Sequence, residues 1–144
     1  MAKKTKKQRK NQEKIMISGK RKTAIAKALI EKGSGVIKIN QIPYEHLHFF
    51  KRLTIQEPIN IAKQVLGNFD FNINVKIKGG GQESQIEAAR LAIAKALVNF
   101  TKSPELKKAF LDYDRNLLVA DIRRKEAYKP GDSKARRNRQ KSYR

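Results

Sequence analysis

The sequence contains no cysteine and no tryptophan, and acidic residues are scarce in it. Without cysteine there is no disulfide and no thiolate zinc site, which fits a reducing cytoplasm. Apolar runs such as 117–120 are only a few residues long, so none could span a bilayer. The basic N-terminus is not followed by an apolar stretch, and we expect no secretory signal. The two histidines, His46 and His48, share no helical face and predict no metal site.

What the chain has in excess is positive charge. Its 144 residues include 34 Lys and Arg against 13 Asp and Glu, a formal net charge of +21. A polyanion would relieve this self-repulsion, and nucleic acid is favoured over a membrane because no apolar anchor accompanies the charge. Residues 1–14 carry seven cations against one acid, and residues 121–144 carry ten against three. We therefore predict a basic arm over 1–14, one folded domain over 15–120 and a basic extended tail over 121–144.

Hydrophobic periodicity predicts a mixed α+β domain in the middle of the chain. Alternating residues predict strands over 23–32 and 36–40, joined as a hairpin by residues 33–35, and a third strand over 69–78. Helices are predicted over 59–66, 83–101 and 104–112, with Pro58 in the first turn of the first helix and Ser103 capping the last. A final buried strand is predicted over 117–120.

Residues 19–23, Gly-Lys-Arg-Lys-Thr, resemble part of a nucleotide-binding loop. A P-loop requires Gly at the position of Lys14 and Ser or Thr at the position of Arg21, so no nucleotide site is predicted. Three consecutive cations opening a strand still suit a nucleic-acid backbone, because each neutralised phosphate releases counterions. A solvated charged turn is the alternative. We expect Lys20, Arg21 and Lys22 to contact phosphate.

Three consecutive glycines, Gly79, Gly80 and Gly81, lie between the third predicted strand and the long helix. Their backbone N–H groups and the helix N-terminus could face a phosphate. The spacing of a dinucleotide fingerprint is absent. A tight turn that needs positive φ is the alternative, and the two interpretations are compatible.

Asp112 and Asp114 are the nearest approach to a catalytic pair of carboxylates. Their neighbours Lys107, Lys108 and Arg115 favour a cluster of salt bridges within the chain instead. No set of nucleophile, base and orienting group suggests itself. We expect no enzyme, no cofactor and no metal.

The last twelve residues, 133–144, carry six cations and no acid. Fully extended, such a segment reaches about 40 Å. Its arginines can make bidentate contacts with phosphate, and Tyr143 can stack on a base or a ribose. Composition alone also allows a generic polybasic tail.

Three stretches, in this order, resemble one known family. Residues 18–26 read Ser-Gly-Lys-Arg-Lys-Thr-Ala-Ile-Ala, and residues 78–98 begin Lys-Gly-Gly-Gly-Gln-Glu-Ser. Residues 112–124, Asp-Tyr-Asp-Arg-Asn-Leu-Leu-Val-Ala-Asp-Ile-Arg-Arg, lead on to Gln-Lys-Ser-Tyr-Arg at 140–144. Over about residues 15–144 the chain resembles the ribosomal S-nine family, the ninth protein of the small ribosomal subunit. Its Gln-Lys-Ser-Tyr-Arg ending is similar to the archaeal and eukaryotic branch.

The resemblance implies a two-layer α/β sandwich of the ribosomal-protein S-five domain-two type, with a left-handed βαβ crossover and basic N- and C-terminal extensions. It implies a structural constituent of the small ribosomal subunit in the cytoplasm, bound to small-subunit rRNA in the head beside neighbouring ribosomal proteins. It also implies a tail that reaches the tRNA in the peptidyl (P) site.

Site residues follow from the resemblance by position. Together with the glycine turn (Gly79, Gly80 and Gly81), the candidate rRNA contacts are Lys20, Arg21, Lys22, Arg123, Arg124, Arg136, Arg137 and Arg139. The candidate tRNA contacts are Lys141, Ser142, Tyr143 and Arg144, with Arg144 on a tRNA phosphate.

Two other classes of protein stay open at this point. One is a free nucleic-acid-binding or chromatin-like protein that uses its basic arms without a ribosome. The other is an RNA-processing factor on the same fold, such as the protein subunit of ribonuclease P or a relative of the small-molecule kinases. The incomplete phosphate-binding loop disfavours a kinase, and the order of the motifs disfavours the ribonuclease partner.

Overall fold

The structure of the protein is a computed structural model that describes residues 14–131 and 134–137. The predicted arm lies outside the described residues except for Lys14, and so do tail residues 132, 133 and 138–144. In chain order the elements are β1 (Ile15–Arg21), β2 (Ala24–Lys32), β3 (Ile37–Ile39), β4 (Ile42–Pro43), α1 (Phe49–Leu66), β5 (Phe71–Lys78), α2 (Gln82–Thr101) and α3 (Pro104–Tyr113). Short 3₁₀ turns cover Tyr44–His46 and Arg115–Leu117.

The described strands form one sheet in the order β1-β2-β5-β3-β4. Neighbouring strands are antiparallel except for β3 and β5, which are parallel. Parallel neighbours require a crossover connection, and α1 lies in the connection between these two. α2 packs on one face of the sheet, and α1 and α3 pack against α2 and against each other. The predicted α+β class is confirmed, with one sheet and three α-helices among the described residues.

The hydrophobic core lies between the sheet and the helices. The strands bury alternate residues, and α2 buries a stripe at helical spacing whose last member, Phe100, is half-buried. Central core residues are Ala24, Ala26, Ala28 and Ile30 of β2, Ile73, Val75 and Ile77 of β5, and Ile86, Ala89, Ile93 and Leu97 of α2. Ser103 caps α3 as predicted, its Oγ accepting from the backbone N of Leu106 at 3.3 Å. Within the described ranges, no helix has the length and apolar character needed to cross a membrane.

α2 lies unusually close to the first two strands. A Cβ placed on Gly19 would lie 2.5 Å from the carbonyl oxygen of Ala88 and 2.7 Å from the backbone nitrogen of Ala92. Gly19 is paired with Ala26 on β2, so the helix meets a surface of very small residues. The buried alanines of α2 allow this close packing on the sheet.

The predicted hairpin between residues 23–32 and 36–40 is wrong. β2 pairs with β1 and β5, and β3 lies on the far side of β5. The first hairpin is instead β1–β2, whose two-residue loop contains Lys22 at a left-handed φ of 51°. Periodicity misses β1 because its core-facing positions end in Gly19 and Arg21, which interrupts the apolar alternation. Pairing between strands distant in the sequence overrides the local turn signal.

Two further predicted boundaries are wrong. The first helix begins at Phe49, not near residue 59, and Pro58 is buried inside it rather than in its first turn. Proline lacks the N–H that would bond to the preceding turn, yet tertiary burial keeps the helix continuous here. The predicted strand over 117–120 is a 3₁₀ turn followed by irregular chain, in which only Leu117 is fully buried. A single buried residue can reach the core from a turn, so this segment does not have to pair with the sheet as a strand.

Arg90 of α2 connects three segments of the helical layer. Its Nη2 lies 2.7 Å from Oε2 of Glu57 on α1, and its Nη1 donates to Oδ2 of Asp114 at 3.0 Å. Asp114 was expected to pair with cations near it in the sequence, and the structure gives it this distant partner instead. The prediction of an intramolecular salt bridge is confirmed for Asp114, but its predicted partners are wrong.

The close approach of α2 to β1 makes Gly19 a sensitive position. Gly19→Ala is expected to lower the free energy of unfolding by about 1–3 kcal/mol, because the added methyl meets helix backbone that cannot turn aside. Gln64→Ala is the control, since Gln64 is exposed on α1, where a surface substitution should change the free energy of unfolding by less than about 0.5 kcal/mol. Urea unfolding measures both variants. Equal loss of stability in the two would contradict the close approach.

Candidate nucleic-acid interface

The two loops expected to contact phosphate lie beside each other at one end of the sheet, which we call the loop end. It comprises the β1–β2 loop (Lys22 and Thr23) with the adjoining Lys20, and the glycine turn Gly79–Gly81. A Cβ on Gly79 would lie 2.8 Å from the carbonyl oxygen of Thr23. The sheet therefore brings together a basic segment and a glycine-rich segment that are far apart in the sequence.

The glycine turn is required by the backbone. Gly79 and Gly80 have φ values of 75° and 71°, and a Cβ on Gly80 would lie 2.9 Å from the backbone nitrogen of Ala24. The tight-turn interpretation is confirmed. Gly81 is the N-cap of α2 and offers no side chain to the first N–H groups of that helix. Those donors and the positive end of the helix dipole suit an anion, and contact of the turn with RNA stays a prediction.

Arg21 differs from its two neighbours because its side chain belongs to the helical face. Its Nε donates to Oε2 of Glu87 at 2.6 Å. Its Nη1 lies 2.8 Å from Oδ2 of Asp121, close enough for an ion pair although not aligned as a hydrogen bond. Two carboxylates therefore compensate the charge of Arg21. Lys20 and Lys22 are exposed and have no ion pair with any described residue.

Asp121 fixes the start of the tail to the loop end. Its Oδ2 accepts hydrogen bonds from Nε and Nη2 of Arg123 at 2.8 and 2.6 Å, and its Oδ1 accepts from the backbone nitrogen of Arg123 at 2.8 Å. These bonds, with the nearby charges of Arg123 and Arg21, lower the pKa of Asp121 to about 2. The same contact raises the pKa of Arg123. The tail therefore leaves the domain through a charged junction formed by Arg21, Asp121 and Arg123.

Beyond this junction, residues 122–131 of the tail are exposed, and the tail contacts described next are local. Arg124 has no ion pair with any described residue. Nε of Arg136 pairs with Oε2 of Glu126 at 3.0 Å, and the backbone nitrogen of Arg137 donates to the carbonyl of Lys134 at 3.0 Å. The remaining predicted contacts, Arg139, Lys141, Ser142, Tyr143 and Arg144, lie outside the described residues.

The reasoning from sequence did not identify the acidic partners of these arginines. Glu87 and Asp121 hold Arg21, and nothing in local spacing links the three. Arg90 did leave a signal, because it is the one charge within residues 88–93 of α2, which are otherwise apolar, and burial there requires a partner. In the described part of the chain, no group of three or more His, Cys, Asp and Glu is placed to hold a metal ion.

The fold and this end of the sheet define a class: a basic α+β protein whose loop end and tethered tail suit a polyanion. The family model described as ribosomal protein S9/S16 matches residues 19–144, and the chain belongs to this family. The resemblance to the ribosomal S-nine family is thereby confirmed. Proteins of this family are structural proteins of the ribosome and not enzymes, and so is this chain.

Curated relatives agree with this assignment. The small ribosomal subunit protein uS9 of Methanococcus vannielii is 48% identical over 129 residues, which are 88% of this chain and 95% of the relative. The small ribosomal subunit protein uS9 of Methanococcus maripaludis strain C7 is 49% identical with the same coverage. Both relatives are archaeal, as the resemblance of the ending to the archaeal and eukaryotic branch suggests.

The junction makes a prediction about acid titration. Arg123→Gln is expected to raise the pKa of Asp121 from about 2 toward 3.8, because the largest cause of its lowering is the side-chain hydrogen bond from Arg123. An NMR titration of the Asp121 carboxyl measures this change. The control is Arg124→Gln, which removes an equal charge one residue away and should leave the titration as it is.

The sign of the pH effect follows from the same lowering. The pKa of Asp121 is lower in the folded protein than the ordinary 3.8, so the junction stabilises fully above about pH 4 and is lost as the pH falls toward 2. The Arg123→Gln variant should lose less stability over this range than the wild type. Identical pH profiles and identical Asp121 titrations in the two proteins would contradict the junction.

Proposed function

We propose that the chain is a structural constituent of the small ribosomal subunit that binds small-subunit rRNA with its loop end and P-site tRNA with residues 141–144. The carrying observation is that the family match spans residues 19–144, and so includes both the loop end and the tail. The curated relatives are named as small-subunit proteins. We also propose that the protein acts in the cytoplasm and lies in the head of the small subunit, beside other ribosomal proteins.

We also propose the finer fold assignment and the division of the chain. The sandwich is of the ribosomal-protein S-five domain-two type, and the β3-α1-β5 connection is its left-handed crossover. The parallel pairing of β3 and β5 around α1 supports this assignment. The boundary between the domain 15–120 and the tail 121–144 is supported by burial, since Leu117 is the last fully buried residue in the described chain.

In rRNA binding, the exposed lysines of the loop end supply the main contacts with phosphate. Lys20 and Lys22 neutralise backbone phosphates, while the uncapped start of α2 at Gly81 offers N–H donors to another. Arg123 uses one edge of its guanidinium on Asp121 and its side chain remains 82% exposed, so Nη1 can still bind phosphate. Arg21 acts mainly by positioning the junction, because two carboxylates already hold it.

The tail carries the proposed contact with tRNA. A dozen extended residues reach about 40 Å, well beyond the sandwich. The junction at Asp121 and Arg123 sets where this segment starts. Arg144 then supplies a charge-assisted contact to a tRNA phosphate, and Lys141, Ser142 and Tyr143 place it.

The loop end can be tested by its salt dependence. Lys20→Gln with Lys22→Gln is expected to reduce the slope of log affinity for transcribed small-subunit rRNA against log salt concentration by about 2, one unit for each lost phosphate contact. Lys107→Gln with Lys108→Gln removes the same charge from exposed positions of α3 and serves as the control. Equal slopes for the two double variants would argue against the loop end as the rRNA contact.

The tail can be tested in assembled subunits. Deleting residues 141–144 should leave association with small subunits intact and weaken P-site tRNA binding by roughly 10-fold, the loss expected for one charge-assisted contact. Filter binding of tRNA to purified subunits measures the loss, with the Lys107→Gln and Lys108→Gln variant again as the control of equal charge. Unchanged tRNA affinity would remove the tail from the proposal. Failure of the full chain to sediment with small subunits would overturn it entirely.

A further inference from the structure

The sheet has a second face, turned away from all three helices. We call this the open face and define it by the residues that alternate with the buried ones. Its residues are Met16, Ser18 and Lys20 on β1, Ile25, Lys27, Leu29 and Glu31 on β2, Asn72, Asn74, Lys76 and Lys78 on β5, Lys38 on β3 and Pro43 on β4. No element in the described part of the chain packs on this face.

Strand register arranges the open face in rows. The row nearest the loop end runs Lys20, Ile25, Lys78, and the next runs Ser18, Lys27, Lys76. A third row runs across Met16, Leu29 and Asn74 to Lys38. Adjacent strands are about 4.8 Å apart, so five lysines lie within one patch a few strands wide. The patch adjoins the loop end through Lys20 and Lys78.

This charge is not compensated within the described structure. The single acid of the open face, Glu31, already pairs with Nζ of Lys14 at 2.8 Å. None of the five lysines has an ion pair with a described residue, whereas Arg21 and Arg90 on the helical side are each held by two carboxylates. Lys27 is directly opposite Lys76, an arrangement of like charges that destabilises a sheet. The free protein therefore bears a repulsion that a bound anion would remove.

The chemistry of the face favours RNA over a protein partner. Lysine is depleted in the cores of protein interfaces, where aromatic residues and arginine are enriched. The open face has five lysines and no aromatic residue or arginine. The undescribed residues 1–13 do not complement it either, because they carry six cations against one acid. A polyanion with closely spaced charges is the matching partner.

The same composition indicates how the RNA is held. Sheets that read single-stranded RNA stack its bases on aromatic side chains, and the open face has none. Lysine acts as a point charge and accepts many phosphate geometries. Contact with the backbone, independent of base sequence, is the mode that these side chains support.

We propose that the open face of the sheet binds RNA backbone phosphates through Lys20, Lys27, Lys38, Lys76 and Lys78, and so extends the RNA contact from the loop end across the sheet. The inference rests on the proposed function, since it names a second surface for the same class of partner. It adds that the sheet is a platform for phosphates and not for bases.

The test compares two triple variants of the full chain. Lys27→Gln, Lys76→Gln and Lys78→Gln together form the open-face variant. Lys63→Gln, Lys107→Gln and Lys108→Gln, all exposed on the helical side, form the control of equal charge. Binding to transcribed small-subunit rRNA and to an unrelated double-stranded RNA is measured over a range of salt concentrations.

The open-face variant should reduce the salt slope by about 2 to 3 for both RNAs, with roughly 10- to 100-fold weaker binding near physiological salt. The control should change the slope by less than about 1. Removal of the Lys27–Lys76 repulsion should raise the thermal unfolding midpoint of the open-face variant by about 1–3 °C. Weaker RNA binding by a more stable protein separates a binding role from a structural one.

Several outcomes would overturn the inference. Equal slopes for the two triple variants would remove the open face from RNA binding, and a loss limited to one RNA sequence would contradict backbone contact. Loss of binding to poly-glutamate with RNA binding unchanged would indicate an acidic protein partner instead. If the wild-type chain binds small-subunit rRNA no more tightly than a neutral polymer, the proposed function itself fails, whatever the variants do.

Discussion

The close contact between α2 and the first two strands is the constraint on which the rest of the structure depends. Gly19 leaves room for the backbone of Ala88 and Ala92, and the alanines of β2 continue the same shallow surface. Small residues bury little apolar area each, so this contact stabilises by fitting two backbones closely together rather than by large side chains. It commits one face of the sheet to the helices and leaves the opposite face without a partner in the described chain.

This division of the sheet also divides the charge. On the helical side, the two partly buried arginines are held by acids: Arg90 joins α1 to the segment after α3, and Arg21 joins β1 to the start of the tail. Burial makes such pairing necessary, because an unpaired charge out of water is costly. On the open face, the five lysines remain exposed and have no ion pair with a described residue. The two arginines thus take up four acidic side chains, Glu57, Glu87, Asp114 and Asp121, while the open face presents an excess of positive charge, as a member of a ribosomal protein family would be expected to do.

Elements with strong local periodicity were predictable from the sequence. The alternation in β5 and the stripe of α2 were assigned with small boundary errors, and the Ser103 cap was identified by its residue type. The failures share one cause. β1 was missed because the close helix requires Gly19 where alternation expects an apolar residue, and the start of α1 was missed because Pro58 is a strong local signal that tertiary burial overrides. The predicted hairpin failed because β5, almost forty residues later, takes the place beside β2.

The residues of the candidate site also separate into those that the sequence revealed and those that it did not. Lys20, Lys22 and the glycine turn were recognisable because exposed cations and consecutive glycines carry their chemistry locally. The position of Arg21 between Glu87 and Asp121 was not, since ion partners separated by most of the domain leave no trace in spacing.

The sequence by itself determined the positive charge, the α+β class and the family. Only the tertiary structure decided that the basic loop and the glycine turn share one end of the sheet, and that Arg21 is neutralised while five lysines of the open face are not. The physical reason is that composition and periodicity act over a few residues, whereas strand order and ion pairing depend on segments that meet only after folding.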